Sequence, residues 1–367
     1  MMKNSFTHGA ALAGSILPLL ALISGCAADA SPTDETVGDV AVGYSNVHLM
    51  PMQSSSDSPS GDALVSAAAP AGSHLTYYGG PVLANVKVWT VFWNSSVPNQ
   101  ANLNSFYSTI TSSAYFSWLS EYNTPSQTIG LGSLGGSVVD TGAPAGSTIT
   151  DTQIQTELSR LMSAGLLPPN DGNNLYMVHF PAGVSIKQGT STSCVQFCAY
   201  HGTYVRGGKN AYYGVIPDLS GGCASGCGSN TKLNNTTSVS SHELIEAVTD
   251  PAVGIAQNLA APLAWYDNTN GEIGDICNGQ QGSVAGYTIQ LEFSNQANAC
   301  IATKSAAPPP PPAGGCSHAI CTTGIKLVSS CDPCATKICA ADSYCCNTQW
   351  DSQCKSEVTS ICGKSCP

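Results

Sequence analysis

Charge is scarce in this chain. Of 367 residues, 10% are Asp, Glu, Lys or Arg, and 12 Lys and Arg stand against 23 Asp and Glu. A formal net charge of −11 argues against nucleic acid as a partner, because phosphate recognition needs a basic footprint. Long apolar runs are also missing. The longest stretch near the N-terminus, 10–23, is too short to span a bilayer. No Gly-x-Ser-x-Gly elbow occurs, so a serine hydrolase of that type is not expected. No internal repeat is found.

Cysteine, by contrast, is abundant: there are 17. Cys26 stands alone, six lie between Cys194 and Cys300, and ten crowd the last 52 residues, 316–367. Even numbers in the two later groups predict two separate disulfide frameworks and an oxidising compartment. Cys194, Cys198, Cys223, Cys227, Cys277 and Cys300 are the expected members of the first. Zinc knuckles are the competing reading for the tail, but it shows no repeated CxxC with histidines.

Residues 1–26 read as an export signal, with Lys3 as the positive region and Ile23-Ser24-Gly25-Cys26 at its end. Small residues before a cysteine resemble the bacterial lipoprotein signal, which makes Cys26 the expected lipidation site. Ala27 after it carries no retention aspartate, so an outer-membrane or cell-surface lipoprotein is expected. Cleavage after Ala28 or Ala30, giving a secreted protein, is the alternative. Residues 27–72, rich in Ala, Ser, Asp, Pro and Gly, read as a disordered tether or pro-segment, with order beginning near His74.

From 73 to 303 the pattern predicts an α/β domain, a mixed sheet flanked by helices. Val82–Trp93, Leu175–Phe180 and Ala211–Pro217 read as strands. A helical period runs through Leu103, Phe106 and Ile110, and another through Ile154, Leu158 and Leu161, capped near Thr150. The rest of 183–235 reads as loop. Residues 304–315, with five consecutive prolines, form a spacer before a small disulfide-rich module at 316–367.

The stretch Ser241-His242-Glu243-Leu244-Ile245-Glu246 places a histidine and a glutamate four apart on one face of a zincin-like helix, capped by Thr237 or Ser238. Glu243 sits about 100° round the cylinder. His-Glu-x-x-Glu resembles the zinc-peptidase His-Glu-x-x-His with a carboxylate in place of the second imidazole, a substitution zinc accepts. The bland alternative is an ordinary capped helix. Asp275 or Glu272, in a loop pinned by Cys277, is the expected third ligand, and His201 is a further candidate. Zn2+ is the expected metal. Asp250, Asp267, Glu272 and Asp275 could instead bind Ca2+ or act as a glycosidase-like acid and base, although solvation is the default for Asp250 and Asp267.

Six pieces occur in an order that resembles the phosphate-induced (exordium) family of secreted proteins, in its bacterial form. They are Tyr78-Gly79-Gly80-Pro81-Val82-Leu83, Asn174-Leu175-Tyr176-Met177-Val178, Cys198-Ala199-Tyr200-His201-Gly202, Ser241–Ala247 with Thr249-Asp250-Pro251, Trp265-Tyr266, and Glu272-Ile273-Gly274-Asp275-Ile276-Cys277. The resemblance covers 75–301 and implies an extracellular, matrix-associated protein. Plant members have a longer glycine-rich stretch after the last motif, where this chain has only Gly279–Tyr287. The tail, through Cys331-Asp332-Pro333-Cys334, Tyr344-Cys345-Cys346 and Trp350-Asp351, is similar to cysteine-rich modules on exported proteins of myxobacteria.

The expected function is that of a zinc-dependent, peptidase-like hydrolase with Glu243 as general base. A second carboxylate ligand weakens zinc as a Lewis acid. The alternative is therefore a non-catalytic wall- or matrix-associated binding protein with a structural metal. Either would act on a peptide or an extracellular polymer, as a monomer that meets the membrane only through a lipid anchor.

Overall fold

The computed structural model describes residues 49–52, 66–228, 230–304 and 316–366. The export signal with Cys26, most of 27–72, and the proline run lie outside the described residues.

Six strands form the central sheet, in the order Leu49–Pro51, Phe197–Arg206, Lys209–Ile216, Asn174–His179, Lys87–Phe92, Ser133–Val139. The last four run parallel, and Phe197–Arg206 is antiparallel to both its neighbours. Sheets of parallel strands are covered on both faces, so their strands read as continuous apolar runs. All six residues of Asn174–His179 are accordingly buried. The period of two divides them between two cores. Leu175 and Met177 join a cluster with Phe106, Ile110, Val239 and Leu244, whereas Tyr176 and Val178 join Ile154, Leu158 and Leu161. The helices Gln100–Ile110 and Lys232–Thr249 thus cover one face, and Asp151–Ser163 the other. The expected mixed sheet flanked by helices is present.

The helix cap near Thr150 is also present: Thr150 and Gln153 bond each other's backbone reciprocally. Three other expectations need correction. Leu49–Pro51 and Ser66–Ala68, assigned to the tether, are strands paired with Phe197–Arg206 and Ala299–Ile301. The alternation Leu49, Met50, Pro51 is too short to stand out, but Met50 is buried in the main core. The loop assigned to 183–235 contains the ten-residue strand Phe197–Arg206, whose Cys198 and Gly202 hide a run of eight buried residues. The helix carrying His242 starts at Lys232 rather than near Thr237, with the Thr231 side chain accepting the Asn234 N–H. Its first turns carry Asn and Thr, poor helix formers that mask the period.

Disulfides Cys194–Cys223, Cys198–Cys227 and Cys277–Cys300 pin the sheet domain. In the C-terminal module Cys316–Cys331, Cys321–Cys366, Cys334–Cys362, Cys339–Cys346 and Cys345–Cys354 enclose a small core of Leu327, Ile338, Trp350 and Val358. The adjacent Cys345 and Cys346 each pair elsewhere. Such a density of bridges belongs to an oxidising, extracytoplasmic setting. Among the described residues no helix is long and apolar enough to cross a membrane.

Candidate metal centre

The helix Lys232–Thr249 runs buried along most of its length although two thirds of it is polar. Several of its hydroxyls turn back onto the helix: Thr236 donates to the Lys232 carbonyl, Ser241 to Ser238 and Thr249 to Ile245. This local bonding satisfies them without water. The ionisable groups of the helix have no such outlet and must find partners across the interior.

Their partners converge from two other elements. His242 Nε2 lies 3.2 Å from Glu246 Oε2, one turn on. The other Glu246 oxygen, Oε1, accepts the backbone N–H groups of Gly274 and Asp275 at 3.1 and 3.0 Å, which draws the 271–277 loop against the helix. Gly274 permits this approach. A Cβ there would come 2.5 Å from His242 Nδ1 and 2.8 Å from Glu246 Oε1. The loop brings Asp275 Oδ1 to 4.0 Å from His242 Nε2. From the sheet, His201 presents Nδ1 at 3.5 Å from Glu243 Oε2 and 3.6 Å from Glu246 Oε2. Its Nε2 lies 3.3 Å from the Asp250 carbonyl and 3.6 Å from Glu272 Oε1.

All six expected site residues therefore meet in one place, His201 arriving on a strand rather than a loop. His242, Glu243, Glu246 and Glu272 are 0% exposed, His201 is 1%, and the Asp275 side chain is 8%. Asp250 and Asp267 are buried as well, contrary to the solvated default. Asp250 accepts the Ala264 N–H at 3.0 Å, and Asp267 accepts from His74, Thr269 and Asn270, each carboxylate serving as a backbone anchor.

Such burial sets the electrostatics. For His201 and His242 desolvation opposes the charged form, but the surrounding carboxylates overcome it, raising His201 well above its ordinary value and His242 to about 10. Burial pushes Glu243 up to about 7. Burial also raises Glu272, with the other carboxylates adding repulsion. Glu246 goes the other way, since the two imidazoles outweigh its desolvation. His179, the remaining buried histidine of the sheet, stands apart. It bonds Tyr107 Oη at 3.0 Å, and burial pushes it down to about 3, so it stays neutral.

His201 Nδ1, His242 Nε2, Glu246 Oε2 and both oxygens of Glu243 and Glu272 are buried without a hydrogen-bond partner. Buried groups without hydrogen bonds are rare in a folded interior, and an ordered water or a bound ion can satisfy them. Two groups have a metal-ligand arrangement, His201 with Glu246 and Glu272, and His242 with Glu246 and Asp275. Within each group one ligand atom per residue lies inside 4.8 Å of the others. Mixed imidazole and carboxylate donors suit zinc, whereas calcium takes six to eight oxygens. The residues fit the metal.

Gln290 is a site residue the sequence pattern did not single out. Its Nε2 lies 2.7 Å from His242 Nδ1 and 2.8 Å from the Gly274 carbonyl, joining helix and loop. A charged His242, and equally one that ligates through Nε2, carries a proton on Nδ1, and both require Gln290 to turn its amide oxygen toward Nδ1. Glu292 was also not singled out; it accepts from Tyr115 Oη at 2.8 Å, and burial raises its pKa. Both sit in short strands where an inward polar residue reads like an outward one. Asp250 carried a signal: it continues the 242, 246, 250 face.

A surface cavity of about 420 Å³, lined by Trp93, Asp140, Thr141, Pro144 and Val184, contains none of these residues. Among protein families, a domain of unknown function (DUF8252) matches residues 314–366, which is the cysteine-rich module. No curated protein matches the chain. No solved structure matches it either.

Proposed function

We propose that the chain is an exported, exordium-like protein whose His-Glu-x-x-Glu helix holds a zinc centre that stabilises a wall- or matrix-associated fold. The observation that carries this reading is the set of buried imidazole nitrogens and carboxylate oxygens of His201, His242, Glu246 and Glu272 that converge without a hydrogen bond. Zinc bound there supplies positive charge to the carboxylates and Lewis acidity to whatever reaches it. Burial of the histidine and glutamate ligands favours a closed, structural centre, since catalytic zinc keeps an open position. The lipoprotein anchor at Cys26 and a peptide or wall-polymer partner belong to the same proposal. The ordered pieces of the exordium resemblance and the disulfide frameworks support it.

One observation favours a second reading, a zincin-like peptidase. Glu243 has both oxygens unpartnered beside the centre and a pKa raised by burial to about 7. A carboxylate so placed can take up and return a proton near neutral pH. Elemental analysis of the purified protein and of Glu243→Gln, with a peptide-cleavage assay on both, separates the readings. Zinc in both without cleavage supports the structural centre. Zinc in both with cleavage only by the parent supports the hydrolase. Absence of metal from both rejects the centre.

A further inference from the structure

The cluster holds more carboxyl groups than one divalent ion offsets. Glu243, Glu246, Glu272 and Asp275 all bear on the same interior space, and the two histidines are neutral when they act as ligands. One divalent cation balances two ionised carboxylates. The other two stay in the interior either as protonated acids or beside a second divalent cation.

The geometry supplies a place for it. Two ligand groups include Glu246, one completed by His201 and Glu272, the other by His242 and Asp275. Glu246 is the member they share, and its two oxygens are not equivalent. Oε1 is committed to the Gly274 and Asp275 N–H groups. Oε2 has no hydrogen bond and lies between the imidazoles, 3.2 Å from His242 Nε2 and 3.6 Å from His201 Nδ1. Backbone bonds on one oxygen hold the other in the position of a bridge. Each histidine is oriented from behind, His201 through the contact of Nε2 with the Asp250 carbonyl and His242 through Gln290. Glu272, with neither oxygen hydrogen-bonded and Oε1 3.6 Å from His201, is left over by a single centre on His242, Glu246 and Asp275, and a second centre uses it.

The geometry points to a binuclear site: two zinc-type divalent cations bridged by the Glu246 carboxylate, one held by His201 and Glu272, the other by His242 and Asp275. It rests on the metal-centre reading above and extends it from one ion to two. Carboxylate-bridged pairs of this kind lie about 3.5–4 Å apart.

The test is metal stoichiometry on the full chain with disulfides intact. Zinc-loaded protein is passed through a chelating resin and analysed by native mass spectrometry. The parent should carry two ions, and Glu272→Gln and Asp275→Asn should each carry one. A single ion in the parent overturns the pair but leaves the metal centre standing; none overturns both. Should either variant fail to fold, Mn2+-loaded parent gives an independent reading by electron paramagnetic resonance. Exchange coupling between two ions supports the bridge, and the spectrum of isolated Mn2+ overturns it.

Discussion

His242 Nε2 and Glu246 Oε2 face each other at 3.2 Å across one turn of a buried helix, with neither side chain exposed to water. Without metal this is a buried ion pair, a contact whose attraction is largely consumed by desolvating both partners. Its retention beside three further carboxylates is hard to explain by stability and straightforward to explain by a cation.

The metal-free protein should therefore have an unusual pH dependence. His242, with its folded pKa raised to about 10, contributes stability fully present below its ordinary pKa of about 6.5 and lost as pH rises through about 10. His201 is shifted the same way. Glu243, raised to about 7, favours the protonated folded state, so its contribution falls as pH rises from about 4.5 to about 7. Depressed Glu246 acts oppositely and loses its contribution only in acid. Urea midpoints of chelated protein should thus decline from mildly acidic pH toward pH 10. Added zinc, which binds deprotonated ligands, should remove the decline. A flat profile in chelator would contradict these assignments.

Gly274→Ala should be costly. The new methyl would meet His242 Nδ1 at 2.5 Å and Glu246 Oε1 at 2.8 Å, forcing the loop off the helix. Overpacking of this kind costs about 1–3 kcal/mol, and the lost Glu246 hydrogen bonds add to it. Denaturant unfolding should show the loss, and zinc affinity should fall as well.

Joint replacement of Cys277 and Cys300 by serine should loosen the same loop from the other end. The bridge closes a sequence separation of 23 residues beside Asp275. Its removal is expected to lower stability by about 2–4 kcal/mol. A zinc titration should also weaken, because Glu272 and Asp275 would no longer be held in place. Unchanged zinc affinity would mean that the loop is positioned without the bridge.

Met50→Ala tests the corrected N-terminal boundary. Met50 is 2% exposed and packs in the main core from a strand on the sheet edge. Truncation of such a side chain costs about 2–5 kcal/mol, whereas in a tether it would cost nothing. Thermal unfolding distinguishes the two.

Much of this architecture was legible. Strands such as Asn174–His179 announce themselves because burial on both faces makes them apolar throughout. The spacing of His242 and Glu246 specifies their shared face as soon as a helix is granted. What stayed hidden depends on long-range packing. Phe197–Arg206 is a strand because Lys209–Ile216 and Leu49–Pro51 pair with it, not because Ala199 and Gly202 favour one. Gln290 enters the site because its strand lies against the helix, where the Gln290 N–H donates to Ser241 Oγ at 2.9 Å. No local pattern distinguishes it from a solvent-facing glutamine.

The central claim is that a cation sits between helix, loop and sheet. Anomalous diffraction from a crystal of zinc-loaded protein, recorded on either side of the zinc absorption edge, tests it most directly. A peak within bonding distance of His242 Nε2 and Glu246 Oε2 is the predicted result. A map without one there, from protein shown to have been exposed to zinc, would contradict it.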